Sequence, residues 1–379
     1  EDGIRDVERS RGLGDVYKRQ EQKLSIDTSL NLKSGKVISS YDLIYQTYGQ
    51  LNNNRDNAVL ICHALSGNHH VAGYHEGDDK PGWWDNMIGS GKPIDTDNLF
   101  VVCVNNLGGC HGSTGPTSIN KDTQNTYGFD FPIVTVEDWV NSQKVLMDSL
   151  NIKKWQFVVG GSLGGMQAFQ WALDYPEYID NAIIIAAAPK LTAQNIAFNE
   201  VARQAIMSDP DWCSGNYLKE NKVPKRGLAL ARMLGHITYL SDKSMAQKFG
   251  RDLKQEKIGF NFDVELQIES YLRYQGEKFV NTFDANTYLL MTKALDYYDP
   301  INDTKFIDKI SSTMTKFLLV SFTSDWRFPP VRSEEIVKTL ISYNKNVSYA
   351  CVKSDGGHDA FLMKNDNYFD VMRNFIENN

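Results

Sequence analysis

The sequence predicts an α/β protein, a mostly parallel sheet with helices on both faces, and three observations predict it. Short, continuously apolar runs recur along the chain, helical periodicities lie between several of them, and one run ends in a glycine-flanked serine at a strand-to-helix junction. With 379 residues, 41% of them hydrophobic and 23% charged, the chain can bury one large core and still carry an insertion.

Residues 1–20 stand apart from this pattern. They are dense in Arg, Asp and Glu, lack a starting methionine and show no usable periodicity. The stretch from Arg11 to Gln20 resembles a translated sequencing-adapter remnant, so the leader is excluded from the fold and expected to be disordered. From Lys23 onward Leu24, Ile26, Leu30 and Leu32 alternate with polar residues, and residues 37–48 do so again beyond Lys33-Ser34-Gly35, which is a β-hairpin pattern. Residues 58–64, 99–104, 157–159, 182–188, 317–322 and 347–352 are apolar without alternation, as strands buried on both faces are. Residues 136–150 read as a helix, as does the segment through Ala168, Phe169, Trp171 and Leu173 that Pro176 ends. Between residues 190 and 310 the strand signal disappears, and 193–207, 228–240, 264–275 and 286–298 read as helices. The expected organisation is therefore a core of residues 21–189 and 311–379 with an inserted helical lid at 190–310.

Composition narrows the function. No run approaches the ~18 apolar residues of a membrane span. A net charge of −7 argues against a nucleic-acid binder. Five scattered cysteines (Cys62, Cys103, Cys110, Cys213 and Cys351), several in apolar strand-like runs, together with no visible secretory signal, make a reducing cytoplasm the simplest compartment.

The chemistry centres on Gly160, Ser162 and Gly164, which match the G-x-S-x-G nucleophile elbow of the α/β-hydrolase fold. A serine on a sharp strand-to-helix turn has strained backbone angles, and glycines on either side relieve the collisions. Such a nucleophile needs a base, and the base needs an orienting acid, in the chain order Ser, acid, His. Asp325 and His358 stand just beyond apolar runs in that order, where open α/β sheets place their sites. The backbone N–H groups of Leu163, at the helix start, and of Leu65, after an early strand, are the candidate oxyanion donors. His63, His69, His70 and His75 show no metal-ligand spacing, so no metal is expected. The glycine-rich residues 105–116 lack the Gly-Lys-Ser/Thr of a phosphate loop and are expected to shape a pocket wall.

Several segments together carry a resemblance: Asn106-Leu107-Gly108-Gly109-Cys110, Gly160-Gly161-Ser162-Leu163-Gly164-Gly165-Met166-Gln167 and Gly357-His358-Asp359-Ala360-Phe361-Leu362. With residues 193–200 and 230–236, they resemble the homoserine O-acyltransferases of the MetX type, over the chain from about Leu24 to its end. The resemblance implies ping-pong transfer of an acyl group from acyl-CoA to the hydroxyl of L-homoserine, on the route to methionine, with no bound cofactor. It implies that Ser162, His358 and Asp325 form the triad, that Arg232 meets the homoserine carboxylate and Asp359 its ammonium, and that Tyr239 lines the pocket. In such a family Arg327, two residues after Asp325, resembles the succinyl-specific pattern: a guanidinium can bind the distal carboxylate of succinyl-CoA through two hydrogen bonds. Acetyl-CoA is the alternative donor, and a serine esterase or thioesterase with the same triad is a further alternative. A non-catalytic binding module, which usually lacks a triad member, is a rival that this chain does not match. A homodimer through apolar faces of the lid helices is expected.

Overall fold

The computed structural model describes residues 21–75 and 77–379. The expectation for residues 1–20 lies outside the described residues.

Eight strands form the central sheet: β1 (Gln22–Ile26), β2 (Tyr41–Tyr48), β3 (Ala58–Cys62), β4 (Phe100–Val104), β5 (Trp155–Gly161), β6 (Ile179–Ile185), β7 (Lys316–Phe322) and β8 (Val347–Val352). Their spatial order is β1-β2-β4-β3-β5-β6-β7-β8. β1 pairs antiparallel with β2, and β2 antiparallel with β4; every further pairing is parallel. The predicted hairpin is present but interrupted, because a two-stranded ladder (Leu30–Asn31 with Val37–Ile38) takes its inner part. The apolar runs are the parallel strands. β3 is buried at all five positions, as the lack of alternation requires.

One face of the sheet packs on α1 (Val136–Ser149) and α2 (Leu163–Asp174), with Trp139, Trp171 and Phe169 fully buried between them and the strands. A capping box starts α1: the Thr135 side chain accepts from the Asp138 N–H, and Asp138 accepts from the Thr135 N–H. The opposite face carries Trp84, Met87, Tyr368 and Phe369.

Between β6 and β7 the described chain carries the helices α3 (Ala193–Met207), α4 (Lys225–Tyr239), α5 (Asp242–Phe249), α6 (Gln267–Val280) and α7 (Ala285–Tyr297), with one isolated antiparallel bridge, Leu253 to Leu266, before α6. These helices have their own apolar cluster, including Ile206, Leu228, Phe279 and Tyr288. The bounds of two helices differ most from expectation. α4 begins at Lys225, directly after Pro224, and α6 runs on to Val280. Helix α5, eight residues with no buried side chain, was not legible, because a helix without a buried face leaves no apolar period to read. α8 (Phe306–Ser312) precedes β7, α9 (Pro330–Ser342) follows it, and α10 (Asp366–Glu377) ends the fold. Among the described residues no helix is long and apolar enough to cross a membrane.

The tightest contact in the sheet layer is where α2 starts. A Cβ placed on Gly164 would lie 2.0 Å from the carbonyl oxygen of Cys62, at the end of β3, and one on Gly160 would lie 2.2 Å from Gly164 backbone. Gly164→Ala is therefore expected to destabilise the protein by on the order of 3 kcal/mol, since backbone cannot move aside as a side chain could. Urea unfolding of variant and wild type reads this directly; equal midpoints would contradict it.

Candidate active site

Ser162 links β5 to α2 with φ 57° and ψ −121°, a backbone conformation that few non-glycine residues adopt. Its N–H donates to the Ile185 carbonyl at 2.9 Å, which holds the turn to the neighbouring strand. Leu163, the first residue of α2, has an N–H that no intrahelical carbonyl can reach.

His358 lies in a short turn after β8, with its Nε2 2.8 Å from Ser162 Oγ and its Nδ1 2.7 Å from Asp325 Oδ2. The other carboxylate oxygen, Oδ1, accepts the N–H groups of Arg327 (3.0 Å) and Phe328 (2.8 Å), so Asp325 cannot swing away. Asp325 and His358 are both buried, and the rings of Phe328 and Phe361 meet the imidazole edge-on at 5.1 and 5.9 Å. The chain order predicted from loops thus becomes one hydrogen-bonded line, Ser162 to His358 to Asp325.

The helices after β6 come down on this line. A Cβ on Gly357 would lie 2.5 Å from both the Tyr239 carbonyl oxygen and the Ser241 N, so the His358 turn presses against the end of α4. Trp326 Nε1 donates to the Leu240 carbonyl at 3.0 Å, and Ser241 Oγ donates to the Asp355 carbonyl. Tyr239 lies 6.2 Å from the His358 ring, with the guanidinium carbons of Arg327 and Arg232 at 5.6 and 5.8 Å from its own ring. The two arginines singled out in the sequence therefore share one aromatic neighbour close to His358.

Arg327 is 8% exposed, and among the described residues no carboxylate lies within ion-pairing distance of it. Among the described residues its guanidinium donates to neutral acceptors, Thr238 Oγ1 at 2.7 Å and Asn199 Oδ1 at 3.4 Å. Asn195 Nδ2 donates to the Arg327 carbonyl at 2.9 Å. Arg232 is similar: it donates to Ser66 Oγ at 3.3 Å, stacks 4.5 Å over Phe279, and has a buried Nε with no partner among the described residues. Half-buried Asp359 follows His358 in sequence. Burial pushes its carboxyl above the usual carboxylate range, with the charges of His358 and Arg232 working in the opposite direction. Leu65 sits in a turn closed by the Gly67 N–H to the Ala64 carbonyl (3.0 Å), beside the Cys62 end of β3 against which α2 packs.

Thr238, Asn199 and Ser66 escaped the sequence reading. Asn199 lay inside a motif singled out there and Thr238 beside Tyr239, but neutral polar residues carry no signal until an arginine is seen pointing at them. The glycine-rich residues 105–116 abut α7, where a Cβ on Gly108 would lie 2.6 Å from Leu290. His70, His75 and Asp78 bring ligand atoms within 4.8 Å of one another, a grouping the linear spacing did not disclose. Their imidazoles stack at 3.7 Å, and both Nδ1 atoms face the Asp78 carboxylate, at 3.5 and 3.6 Å.

Sheet order, elbow and hydrogen-bonded line define the α/β-hydrolase class, and the profile of that family, the alpha/beta hydrolase fold, matches residues 57–364. A protein of Hydrogenovibrio crunogenus named homoserine O-succinyltransferase is 60% identical over 362 residues, 94% of each chain. One of Neisseria gonorrhoeae with the same name is 57% identical over 360 residues, 94% of this chain and 95% of that one. Among solved structures, homoserine O-acetyltransferase from Bacillus anthracis superposes with a TM-score of 0.87 at 27% identity, covering 95% of this chain and 98% of that one. Esterase E22 superposes with a TM-score of 0.86 at 30% identity, covering 94% of this chain and all of its own, 100%. The chain belongs to the homoserine O-acyltransferase family of the α/β-hydrolase fold.

The Asp359 carboxyl gives a stability prediction with a definite sign. A carboxyl whose pKa is raised by folding binds more protons in the folded than in the unfolded chain, so its ionisation destabilises the fold above its raised pKa. Asp359→Asn should therefore raise the melting temperature at neutral pH, and the advantage should vanish as the pH falls through the ordinary carboxylate range. A variant no more stable at pH 7 than wild type would show the carboxyl to be well solvated.

Proposed function

We propose that this protein is a homoserine O-succinyltransferase that moves a succinyl group from succinyl-CoA to L-homoserine through an acyl-Ser162 intermediate, a step in methionine biosynthesis. One observation carries the choice of donor. A buried guanidinium without a carboxylate partner is costly unless a ligand supplies the anion, and Arg327, two residues from Asp325, has no such partner among the described residues. The distal carboxylate of a succinyl group supplies that anion; an acetyl group would leave the charge unpaired. The names of the relatives at 57–60% identity agree.

In the first half-reaction His358 Nε2 takes the Ser162 proton as Oγ attacks the thioester carbonyl, and Asp325 stabilises the imidazolium. The N–H groups of Leu65 and Leu163 hold the oxyanion. Collapse breaks the C–S bond, and the thiolate leaves as coenzyme A with the proton from His358. In the second half-reaction the homoserine hydroxyl gives its proton to His358 and attacks the acyl-serine. The ester passes to homoserine, and Ser162 recovers the proton.

Arg232 pairs with the homoserine carboxylate and Asp359 with its ammonium, one partner for each end of a zwitterion. Tyr239 walls the pocket between the two arginines. The helices of residues 190–310 act as the lid that keeps water from the acyl-serine, which separates this reading from an esterase on the same fold. Exposed Val201, Leu230 and Ile237 on α3 and α4 support a homodimer through these helices; light scattering giving a monomer mass would refute it.

The test is thiol release from succinyl-CoA and acetyl-CoA, with and without L-homoserine, on wild type and Arg327→Ala. Succinyl-CoA should be preferred in the wild type, release should depend on homoserine, and the substitution should lower kcat/KM for succinyl-CoA by about 10²-fold while leaving acetyl-CoA little changed. Preference for acetyl-CoA in the wild type would transfer the assignment to the acetyltransferase, and equally fast release without homoserine would make the protein a thioesterase. In a second assay, Asp325→Asn should lower kcat by on the order of 10⁴-fold with folding intact; a loss under tenfold would remove Asp325 from the triad.

A further inference from the structure

His63 is a buried side chain, 1% exposed, at the start of the turn that carries Leu65. Both of its ring nitrogens face backbone groups whose hydrogen-bonding sense is fixed. Nε2 accepts the N–H of Asn106 at 3.0 Å, and an amide nitrogen can only donate. Nδ1 lies 2.7 Å from the Ala64 carbonyl oxygen, which can only accept. The ring is therefore neutral, with its proton on Nδ1. Burial pushes its pKa down to about 4, in line with the neutral ring that the two hydrogen bonds require.

The Ala64 oxygen has a second donor, the Gly67 N–H at 3.0 Å. In a trans peptide the C=O and N–H point in opposite directions. Two donors holding the Ala64 oxygen thus aim the Leu65 N–H away from them. The preceding carbonyl, of His63 itself, accepts from Gln167 Nε2 at 3.2 Å. Gln167 Oε1 accepts from Gln143 Nε2 at 2.7 Å, and Gln143 Oε1 accepts from Trp171 Nε1 at 2.7 Å. The turn is thus tied to α1 and α2 by a buried, directional polar network, where a core of plain apolar side chains would leave the peptide free to flip.

We propose that His63 is a positioning residue for the oxyanion hole: its Nδ1–H holds the Ala64 carbonyl so that the adjoining Leu65 N–H faces the carbonyl oxygen of the acyl group on Ser162. The proposal rests on Leu65 being an oxyanion donor. His63 touches no reacting atom and exchanges no proton during turnover. A histidine that merely filled the core would need neither a fixed tautomer nor a partner on the one peptide that carries the donor.

Two substitutions separate the halves of the ring. In His63→Asn the amide nitrogen takes the place of Nδ1 and can still donate to Ala64, while the contact to Asn106 is lost. In His63→Gln the side-chain oxygen reaches the place of Nε2 and can accept from Asn106, while the donor to Ala64 is lost. Thiol release should fall about 10²-fold in kcat for His63→Gln, with KM for succinyl-CoA within twofold, and less than tenfold for His63→Asn. An alkylboronic acid, which forms a tetrahedral adduct on Ser162, should lose affinity in the same order. Equal losses in the two variants, or losses that follow melting temperature, overturn the proposal. If neither variant folds, ¹⁵N spectra of the wild-type histidines decide it, because a proton on Nε2 of His63 overturns it and a proton on Nδ1 upholds it. The underlying reading has its own readout: the ¹⁵N-labelled Leu65 amide of the wild type must shift downfield when the boronate binds. Absence of that shift removes Leu65 as a donor and leaves the hydrogen bonds of His63 without this role.

Discussion

The site depends on one close approach, the start of α2 against the carbonyl end of β3. Only a residue without a Cβ lets the Gly164 backbone come that near the Cys62 oxygen. The approach forces Ser162 into a positive-φ turn and draws the Leu65 loop to the same end of the sheet as the first N–H groups of α2. Backbone strain of about 1–3 kcal/mol at such a residue persists because the surrounding strands and helix over-determine it. Ser162 Oγ is thereby presented at the carboxyl end of the parallel strands, and its hydrogen-bonded partner His358 and the further Asp325 come from the loops after β8 and β7, which pair parallel in the same sheet beyond β6.

The second constraint is electrostatic. Arg327 and Arg232 are held near one tyrosine and face neutral acceptors, while Asp359 is kept desolvated beside His358. Among the described residues none of the three forms an ion pair, so the burial of each charge is offset only in part. Such an arrangement suits a site whose ligands carry the missing charges, two carboxylates and an ammonium in the proposed reaction. The clamp between α4 and the His358 turn, through Gly357, Trp326 and Ser241, holds α4 against the Ser162–His358–Asp325 line.

The parallel strands were legible because both of their faces are buried, which writes an unbroken apolar run into the chain. The elbow was legible because steric necessity leaves glycine at fixed spacing. By contrast, α5 buries nothing and α6 extends five residues beyond the expected 275, to Val280, so local periodicity could not delimit them. The interruption of the first hairpin is likewise a matter of which strand pairs with which: β1 pairs with β2, while the two short segments between them pair with each other.

Taken alone, the chain's residue order determined the fold class and the candidates for nucleophile, acid and base, because those demands act within a few residues of one another. It could not tell that Arg327 faces Thr238 and Asn199, 89 and 128 residues away, or that the His63 ring turns its two nitrogens to Asn106 and Ala64. Those relations depend on the path of the helices between β6 and β7 and on the turn after β3. Long-range packing sets both, and a neutral polar side chain shows what it does only when its partner is seen.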